Sequence, residues 1–246
     1  YTTLFRSILR RKNIINMDGI EWRREKWGKL AKTWFWINER LGCWFGSHLV
    51  ADHPRIEDHL ATRISRNKIT MIPYGARHIT EANETILADY NLQPGKYLIL
   101  IARAEPENSI LEAVEAFSRC PRGKKLVVLG NYKPESNEYH KKIMEAASAE
   151  VIFPGAIYDA DKVAALRFYA LAYIHGHRVG GTNPSLVEAL GAGNAILAHD
   201  NHFNRWVAGD AGIYFSDVNT CAAAIERLCS EPDLVENLQS SAQKIF

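Results

Sequence analysis

The stretch IHGHRVGGTNPSLVEALGAGNAIL, which begins at residue 174, combines histidines, paired glycines and a proline ahead of an apolar run. Thr182 or Asn183 can cap a helix that begins at Pro184, because proline is pre-shaped for a first helical turn. Gly180 and Gly181 let a ligand approach the backbone closely, and a helix start carries partial positive charge. The stretch is a candidate seat for a phosphate or diphosphate, although an ordinary capped turn would give the same pattern.

Two histidines precede this seat. His175 and His177 could donate hydrogen bonds to sugar or phosphate oxygens, or they could be structural. As metal ligands they lack a third partner at suitable spacing, so no metal site is predicted.

Strands and helices that alternate along the chain must position these residues. Strands are predicted at 12–16, 47–52, 68–76, 97–102, 125–129, 151–153, 172–175, 195–198 and 213–215. Helices are predicted at 21–42, 54–64, 81–90, 109–117, 136–147, 160–169, 184–190 and 220–229, and from 233 onward. Such alternation predicts parallel sheets in two α/β domains, an incomplete one at 8–80 and a second at 81–246.

Ligands of open parallel sheets bind beyond the carboxyl ends of the strands. The rule directs attention to the loops that follow Ala102, Leu129, Phe153 and His175.

Composition excludes several classes of protein. The 246 residues are 47% hydrophobic and 24% charged with a net charge of +2, which is globular and gives no basis for binding nucleic acid. The sequence shows neither an apolar run of membrane-spanning length nor a secretory signal. Scattered cysteines without a CxxC pair predict reduced thiols in a cytoplasmic protein.

Both ends of the sequence look unnatural. The opening YTTLFRS, residues 1–7, resembles the translation of a sequencing-library adapter, and the closing SSAQKIF stops inside a helical pattern. The chain is therefore interpreted as a fragment, and we expect it to be inactive by itself.

An aromatic helix is predicted in the first domain. Five of the six tryptophans lie between Trp22 and Trp44 among arginines and lysines. One interpretation is a core helix with a basic solvent face; the other is peripheral contact with an anionic membrane.

Several motifs, in order, resemble the nucleotide-sugar domain of retaining GT-B glycosyltransferases of family 4. They are LILIARAEPENSILEAVEAF, KLVVLGNY, VIFPGAIYDADKVAALRFYALAYIHG, TNPSLVEALGAGNAILAHD and VAGDAGIYF. The motifs NMDGIEWRREKW and GHRVGGTNPSLVEA are similar to a bacterial branch that includes rhamnosyltransferases of surface-polysaccharide assembly.

The resemblance implies a GT-B fold, in which two Rossmann-like domains face a cleft and the first is truncated here. It implies retaining transfer of a sugar, rhamnose in the narrower branch, from a nucleotide-diphosphate donor to a polysaccharide or lipid-linked acceptor. A cytoplasmic protein, peripheral to the inner face of the membrane, without metal or cofactor, would suit this role.

The resemblance also assigns the donor contacts. Arg103 corresponds to an arginine that grips the donor diphosphate, a task that suits a guanidinium. A lysine usually follows five positions later, where this chain has Asn108, and Arg178 is a candidate substitute. Further donor contacts are implied at Gly180, Gly181, Thr182, Asn183, Ser185, Phe153, Gly155 and His177.

Acidic residues complete the implied site. Glu188 corresponds to a glutamate that binds the donor ribose, since a carboxylate can accept two hydroxyl hydrogen bonds. The partner glutamate eight positions earlier is replaced by Gly180, and Trp206 stands where relatives have glutamate.

Asp18 lies in the NMDG motif, where related enzymes often have a histidine. It could deprotonate or orient the acceptor hydroxyl, or only shape an Asp-Gly turn. Glu21 is a weaker candidate for the same task and could equally belong to a capping box.

Two other functions stay open. A nucleotide-sugar epimerase of similar architecture would turn over its substrate without an acceptor. A non-catalytic nucleotide-binding assembly protein would agree with the departures at Gly180, Asn108 and Trp206.

Overall fold

A computed structural model describes residue 9 and residues 11–17, 19–24 and 26–246. These residues fall into two compact units. The first contains the described residues up to Tyr74 together with Val179–Asn183, and the second contains Gly75–Arg178 and Pro184–Phe246. Asp18 lies outside the described residues.

Parallel strands form the sheet of the first unit in the order β1-β2-β3. Its elements are β1 (Ile14–Met17), β2 (His48–Ala51), β3 (Ile69–Met71), α1 (Lys29–Phe45), α2 (Pro54–Ala61) and 3-10 turns at Glu21–Arg23 and Arg66–Lys68. The helix α1 joins β1 to β2, and α2 joins β2 to β3, so each parallel pair is bridged by a helix.

The helix predicted from residue 21 begins eight residues later, at Lys29. The Glu21 carboxylate accepts hydrogen bonds from Arg24 Nη1 at 2.8 Å and Trp27 Nε1 at 3.1 Å, which folds this segment into a local turn. Gly28 is extended, with φ −68° and ψ 166°, and precedes the first helical residue. The early start was wrong because side-chain bonds within the turn compete with a continuous helix.

The interpretation of α1 as a core helix with its apolar face buried is also wrong. Leu30 is 89% exposed and Trp44 is 64% exposed, and Trp34, Ile37 and Leu41 are exposed with them. We call these five residues the apolar stripe. The buried residues of α1 are Glu39 and Cys43.

Glu39 explains which face of α1 is turned inward. Its carboxylate accepts a hydrogen bond from Trp22 Nε1 at 2.8 Å and lies 3.0 Å from His59 Nε2 and 2.9 Å from Arg63 Nε. Burial opposes ionisation, but the hydrogen bonds from His59 and Trp22 outweigh it and lower the pKa of Glu39. A buried carboxylate with this many donors is held as an anion.

A six-stranded parallel sheet forms the centre of the second unit, in the order β6-β5-β4-β7-β8-β9. The strands are β4 (Tyr97–Ile101), β5 (Lys125–Leu129), β6 (Val151–Gly155), β7 (Ala172–His175), β8 (Ala195–His199) and β9 (Gly212–Phe215). Strand β6 runs two residues beyond its predicted end at Phe153, so Gly155 lies in the strand and not in a loop after it.

Helices cover this sheet. They are α3 (Ile110–Ser118), α4 (Glu138–Ala146), α5 (Ala160–Phe168), α6 (Pro184–Gly191), α7 (His202–Ala208), α8 (Val218–Ser230) and α9 (Pro232–Ile245), with 3-10 turns at Glu84–Tyr90, Pro106–Asn108 and Gly209–Ala211. Side chains of Asn137, Asp159 and Asn201 cap α4, α5 and α7. The helix α7 was not predicted.

Both faces of the second sheet are buried. Leu98 and Leu100 of β4 contribute to one hydrophobic cluster with Phe117, whereas Tyr97 and Ile99 contribute to another. Two buried faces explain why β4 reads YLILI, a continuous apolar run and not an alternating one. The parallel sheets confirm the predicted α/β class.

Candidate functional site

The strand order of the second unit reverses direction at β4. From β4 the chain builds β5 and β6 on one side, then returns to place β7 on the other side. A crevice at the carboxyl ends of such strands is the usual ligand site of open α/β sheets. The loops that follow β4 and β7 are therefore the candidate site of this unit.

These two loops approach each other closely. Gly176 directly follows β7, and a Cβ atom there would overlap the carbonyl group of Asn108 in the loop after β4. The Arg178 N–H donates to the Glu107 carbonyl at 3.0 Å. The sequence IHGH thus needs glycine at its centre because two backbones meet there.

Arg103 lies two residues beyond the end of β4, and its side chain is exposed. Its carbonyl accepts a hydrogen bond from Asn108 Nδ2 at 2.8 Å, and Asn108 is 2% exposed. Among the described residues, no ion pair engages the Arg103 guanidinium. The charge predicted to hold a diphosphate is available on a turn that Asn108 stabilises.

Arg178, the candidate substitute for the lysine missing at position 108, is engaged in other interactions. Its Nε donates to Ser109 Oγ at 2.8 Å, and its guanidinium forms an ion pair with Glu112. The positive charge of Arg178 is therefore balanced at the start of α3.

Glu188 lies on α6, and its side chain is 45% exposed. Its Oε2 atom is 2.6 Å from Nη2 of Arg167, a residue of α5 whose side chain is 7% exposed. Sequence reasoning gave Arg167 no role, although an arginine in the apolar run VAALRFYA was a signal that it needs a buried partner.

Ser185, one turn before Glu188, is engaged inside the unit. Its Oγ lies 3.1 Å from Arg167 Nη2 and 2.6 Å from Tyr173 Oη, and the Tyr173 hydroxyl donates to the Ile101 carbonyl at 3.1 Å. Burial raises the pKa of Tyr173, so the phenol remains a neutral donor. These bonds connect α5, α6, β7 and the end of β4.

The two histidines stack on one another. The ring centroids of His175 and His177 are 4.3 Å apart, with an angle of 10° between the planes. Burial, and then the neighbouring His177, lower the pKa of His175 well below its usual value, so this ring is neutral at pH 7. Neither ring nitrogen of His175 has a hydrogen-bond partner among the described residues.

The residues predicted to hold a base lie in β6, beside the end of β5. Phe153 is half-buried and meets Tyr132 edge to face, with centroids 5.2 Å apart. Gly155 has a φ of +88°, a conformation that favours glycine, and its carbonyl accepts from the Gly130 N–H at 3.2 Å. An apolar wall and a closely approachable backbone are thus present there.

Gly180, Gly181, Thr182 and Asn183 belong to the first unit. The Thr182 N–H donates to Asp52 Oδ2 at 2.8 Å, and the Thr182 hydroxyl donates to the Asp52 carbonyl. A Cβ atom on Gly181 would collide with the same carboxylate. An N–H predicted to seat a phosphate oxygen therefore donates to a carboxylate oxygen in this structure.

A groove of about 560 Å³ lies between β1 and α1 of the first unit. Its lining includes Asn16, Trp22, Trp34, Phe35 and Asn38. Aromatic side chains with a few polar groups form the usual lining of a small-molecule site.

The described residues contain no group of three or more histidine, cysteine, aspartate or glutamate side chains that could hold a metal ion. None of the helices in this part of the chain combines the length and apolar composition that crossing a bilayer requires.

Two family models match the sequence. Residues 83–245 match the model described as glycosyl transferases group 1, and residues 5–77 match a domain of unknown function, DUF1972. No curated protein matches the chain significantly.

Solved structures resemble the chain at low sequence identity. HepE of Anabaena, crystallised with UDP and glucose, has 15% identity and a TM-score of 0.82 over 99% of this chain and 69% of HepE. Sucrose-phosphate synthase of Thermosynechococcus elongatus has 16% identity and a TM-score of 0.78 over 96% of this chain and 63% of its own. A glycosyltransferase of Rickettsia africae has 12% identity and a TM-score of 0.70 over 99% and 74%. These likenesses confirm the GT-B fold class.

Proposed function

The chain belongs to the group 1 glycosyl transferases, and we propose that it moves a sugar from a nucleotide-diphosphate donor to a saccharide acceptor with retention of configuration. One observation carries this proposal. The loop after β4 presents the exposed Arg103, and α6, which follows β7, presents a half-exposed Glu188 whose carboxylate is held by a buried arginine. A guanidinium and a fixed carboxylate at a topological switch point suit a diphosphate and a ribose diol.

The donor is proposed to contact both charged side chains and backbone groups. Arg103 would bind the diphosphate, Glu188 the ribose, and Phe153 with Gly155 the base. Backbone groups from Gly180 to Asn183, with Ser185 and His177 nearby in sequence, would complete the set. In this structure the Thr182 N–H donates to a carboxylate oxygen of Asp52, which a donor phosphate would have to displace.

Charge develops on the departing nucleoside diphosphate as the sugar leaves. Arg103 and backbone N–H groups would stabilise that charge, and we propose that no metal or other cofactor is needed. Asp18 is proposed to orient or deprotonate the acceptor hydroxyl.

The acceptor is proposed to occupy the groove of the first unit. Trp22 and Trp34 offer flat apolar surfaces to sugar rings, and Asn16 and Asn38 offer polar groups. The narrower motif resemblance favours rhamnose as the sugar and a surface-polysaccharide or lipid-linked acceptor. It gives no reason to expect a nucleic-acid partner.

A cytoplasmic location, peripheral to the membrane, is part of the proposal. The apolar stripe on α1 supports it, since its apolar side chains, two of them tryptophans, are exposed and follow Lys26 and Lys29 in the sequence. Tryptophan and lysine together favour the interface of an anionic bilayer.

Calorimetry against a panel of UDP-, dTDP- and GDP-sugars tests donor binding, and a radiolabelled donor with and without acceptors tests transfer. Transfer to an acceptor supports the proposal. Turnover of the donor into an isomeric nucleotide sugar without acceptor would identify an epimerase instead.

A non-catalytic nucleotide-binding protein is the second candidate. Asn108 stands in place of a lysine, and its side-chain amide donates to the Arg103 carbonyl, so this position supplies no positive charge to the donor. It predicts donor binding with neither transfer nor hydrolysis. Inactivity of the 246-residue chain by itself stays a prediction, which measured turnover would contradict.

A further inference from the structure

We infer that Arg167 is a positioning residue that fixes the Glu188 carboxylate so that it accepts hydrogen bonds from the ribose hydroxyls of a nucleoside diphosphate. The inference rests on the proposed function, in which Glu188 binds the donor ribose. It assigns a role to a side chain that does not itself touch the ligand.

The pair is asymmetric in its exposure. The Arg167 side chain is 7% exposed, whereas the Glu188 side chain is 45% exposed, and Nη2 and Oε2 are 2.6 Å apart. A buried guanidinium is costly unless it is paired, so Arg167 requires the carboxylate to stay at this place. The carboxylate still reaches solvent, where a ligand can meet it.

Arg167 is itself held from several directions. Its backbone carbonyl accepts from Asn194 Nδ2 at 2.8 Å, and Asn194 is 1% exposed. Its guanidinium carbon lies 5.9 Å from the centroid of the Tyr173 ring. The bond to Asn194 anchors the backbone of Arg167, and the Tyr173 ring limits where its guanidinium can lie, so the charge paired with Glu188 has a defined place.

A chain of hydrogen bonds extends the restraint to β4. The Tyr173 hydroxyl donates to the Ile101 carbonyl at 3.1 Å. It also bonds to Ser185 Oγ, 2.6 Å away, and Ser185 Oγ lies 3.5 Å from the same carbonyl. Ser185 Oγ then accepts from Arg167 Nη2 at 3.1 Å. The guanidinium is thereby tied to the strand end that leads into Arg103.

Enough of the carboxylate remains for a diol. An ionised carboxylate offers about four lone-pair sites, and the bond to Arg167 uses one of them. A carboxylate already fixed in place loses little rotamer freedom when hydroxyl groups bind, which increases its selectivity for ribose hydroxyls.

The test measures discrimination between two ligands. Calorimetry gives the Kd of whichever of UDP and GDP binds the chain more tightly, and of its 2′,3′-dideoxy analogue. We expect the natural chain to prefer the hydroxylated ligand by about tenfold or more, and Glu188→Gln to abolish that preference. Arg167→Met should reduce it to about twofold, Arg167→Lys should keep part of it, and Arg167→Met with Glu188→Gln should lose no more than Glu188→Gln alone.

Arg122→Met is the matched control. The Arg122 side chain is 3% exposed and pairs with the 62% exposed Glu226 at 2.6 Å, but it precedes the amino end of β5, whereas the candidate site is at the carboxyl ends of the strands. This variant loses a buried arginine of the same kind and should keep the natural preference.

The outcomes separate the two ideas. If Glu188→Gln abolishes the preference while Arg167→Met keeps it, or weakens both ligands equally, the positioning role is refuted and the proposed function stands. If Glu188→Gln keeps the preference, or no nucleotide binds, the proposed role of Glu188 is itself refuted. Should circular dichroism show that Arg167→Met is unfolded, Arg167→Lys decides: an intermediate preference supports the inference and a natural one refutes it.

Discussion

Asn108 donates its side-chain amide to the carbonyl of Arg103 at 2.8 Å. The residue at the position where the resemblance leads one to expect a lysine therefore stabilises the turn that carries the arginine. Asn108 is 2% exposed, so this position has little room for a solvated cation. The departure from the expected lysine has a structural role.

Replacing Asn108 by the expected lysine should therefore lower the stability of the chain. Asn108→Lys would remove the bond to the Arg103 carbonyl and bury an ammonium group, which costs about 1–3 kcal/mol or more. We expect a lower melting temperature and no tighter binding of a nucleoside diphosphate. Tighter binding at an unchanged melting temperature would show that the site lacks only the charge.

Arg103→Met should weaken binding of the nucleoside diphosphate without destabilising the fold. Charge-assisted hydrogen bonds contribute about 1.5–3 kcal/mol, which corresponds to a Kd roughly 10- to 150-fold higher. Arg227→Met is the control, because Arg227 is 52% exposed and pairs with Glu231 within one turn. Equal effects of the two substitutions in calorimetry would mean that Arg103 does not bind the diphosphate.

Gly176→Ala should destabilise the second unit. The new Cβ would overlap the Asn108 carbonyl, and overpacking of this kind typically costs about 1–3 kcal/mol. Gly75→Ala is the comparison, because a Cβ there meets no atom within 4 Å and no positive φ strains it. Urea denaturation should separate the two variants, and equal midpoints would contradict the close approach of the two loops.

Acidification should destabilise the chain in part through His175. Its pKa is lowered in the folded state by burial and His177, so below pH of about 6.5 the unfolded chain binds the extra proton. The free energy of unfolding then falls as the pH falls, by up to about 1.4 kcal/mol per pH unit for one group. His175→Phe should show a shallower decline between pH 7 and 5.5 in urea denaturation. The same slope in both proteins would contradict a buried neutral ring.

The apolar stripe should bind anionic vesicles if it is a membrane surface. We expect co-sedimentation with phosphatidylglycerol vesicles that weakens with salt, and at least fivefold weaker binding by the double variant Leu30→Ser, Trp44→Ser, whose residues do not line the groove. Trp206→Ser is the control, because Trp206 is 44% exposed but lies in the second unit. Binding that the stripe substitutions do not change would assign this surface to another partner.

Local patterns predicted much of the second unit. The limits of β5 and β7 agree with the sequence prediction, and α6 begins at Pro184 as its capping sequence indicates. Buried strands and proline-initiated helices are determined by neighbouring residues, so they can be read from short windows. The helix α7 was missed because its seven residues depend on the Asn201 cap more than on periodicity.

The features that could not be predicted from the sequence depend on contacts between residues far apart in the chain. Periodicity identified the apolar residues of α1, but the bonds of Glu39 to Trp22 and His59 determine which face turns inward. The apolar run around Arg167 indicates that the arginine needs a buried partner, but neither helix alone identifies Glu188 as that partner. The position of Arg103 was predictable, whereas the bond from Asn108 to its carbonyl depends on the path of the loop.

The carboxylate of Glu39 selects one rotational setting of α1. Turning the helix to hide its tryptophans would carry that anion into solvent and leave Arg63 and His59 without their acceptor. A second setting is therefore penalised by unpaired charge as well as by lost packing. The buried interactions of Glu39 therefore keep Trp34 and Trp44 exposed. A partner that binds this surface needs no rotation of α1 to reach them.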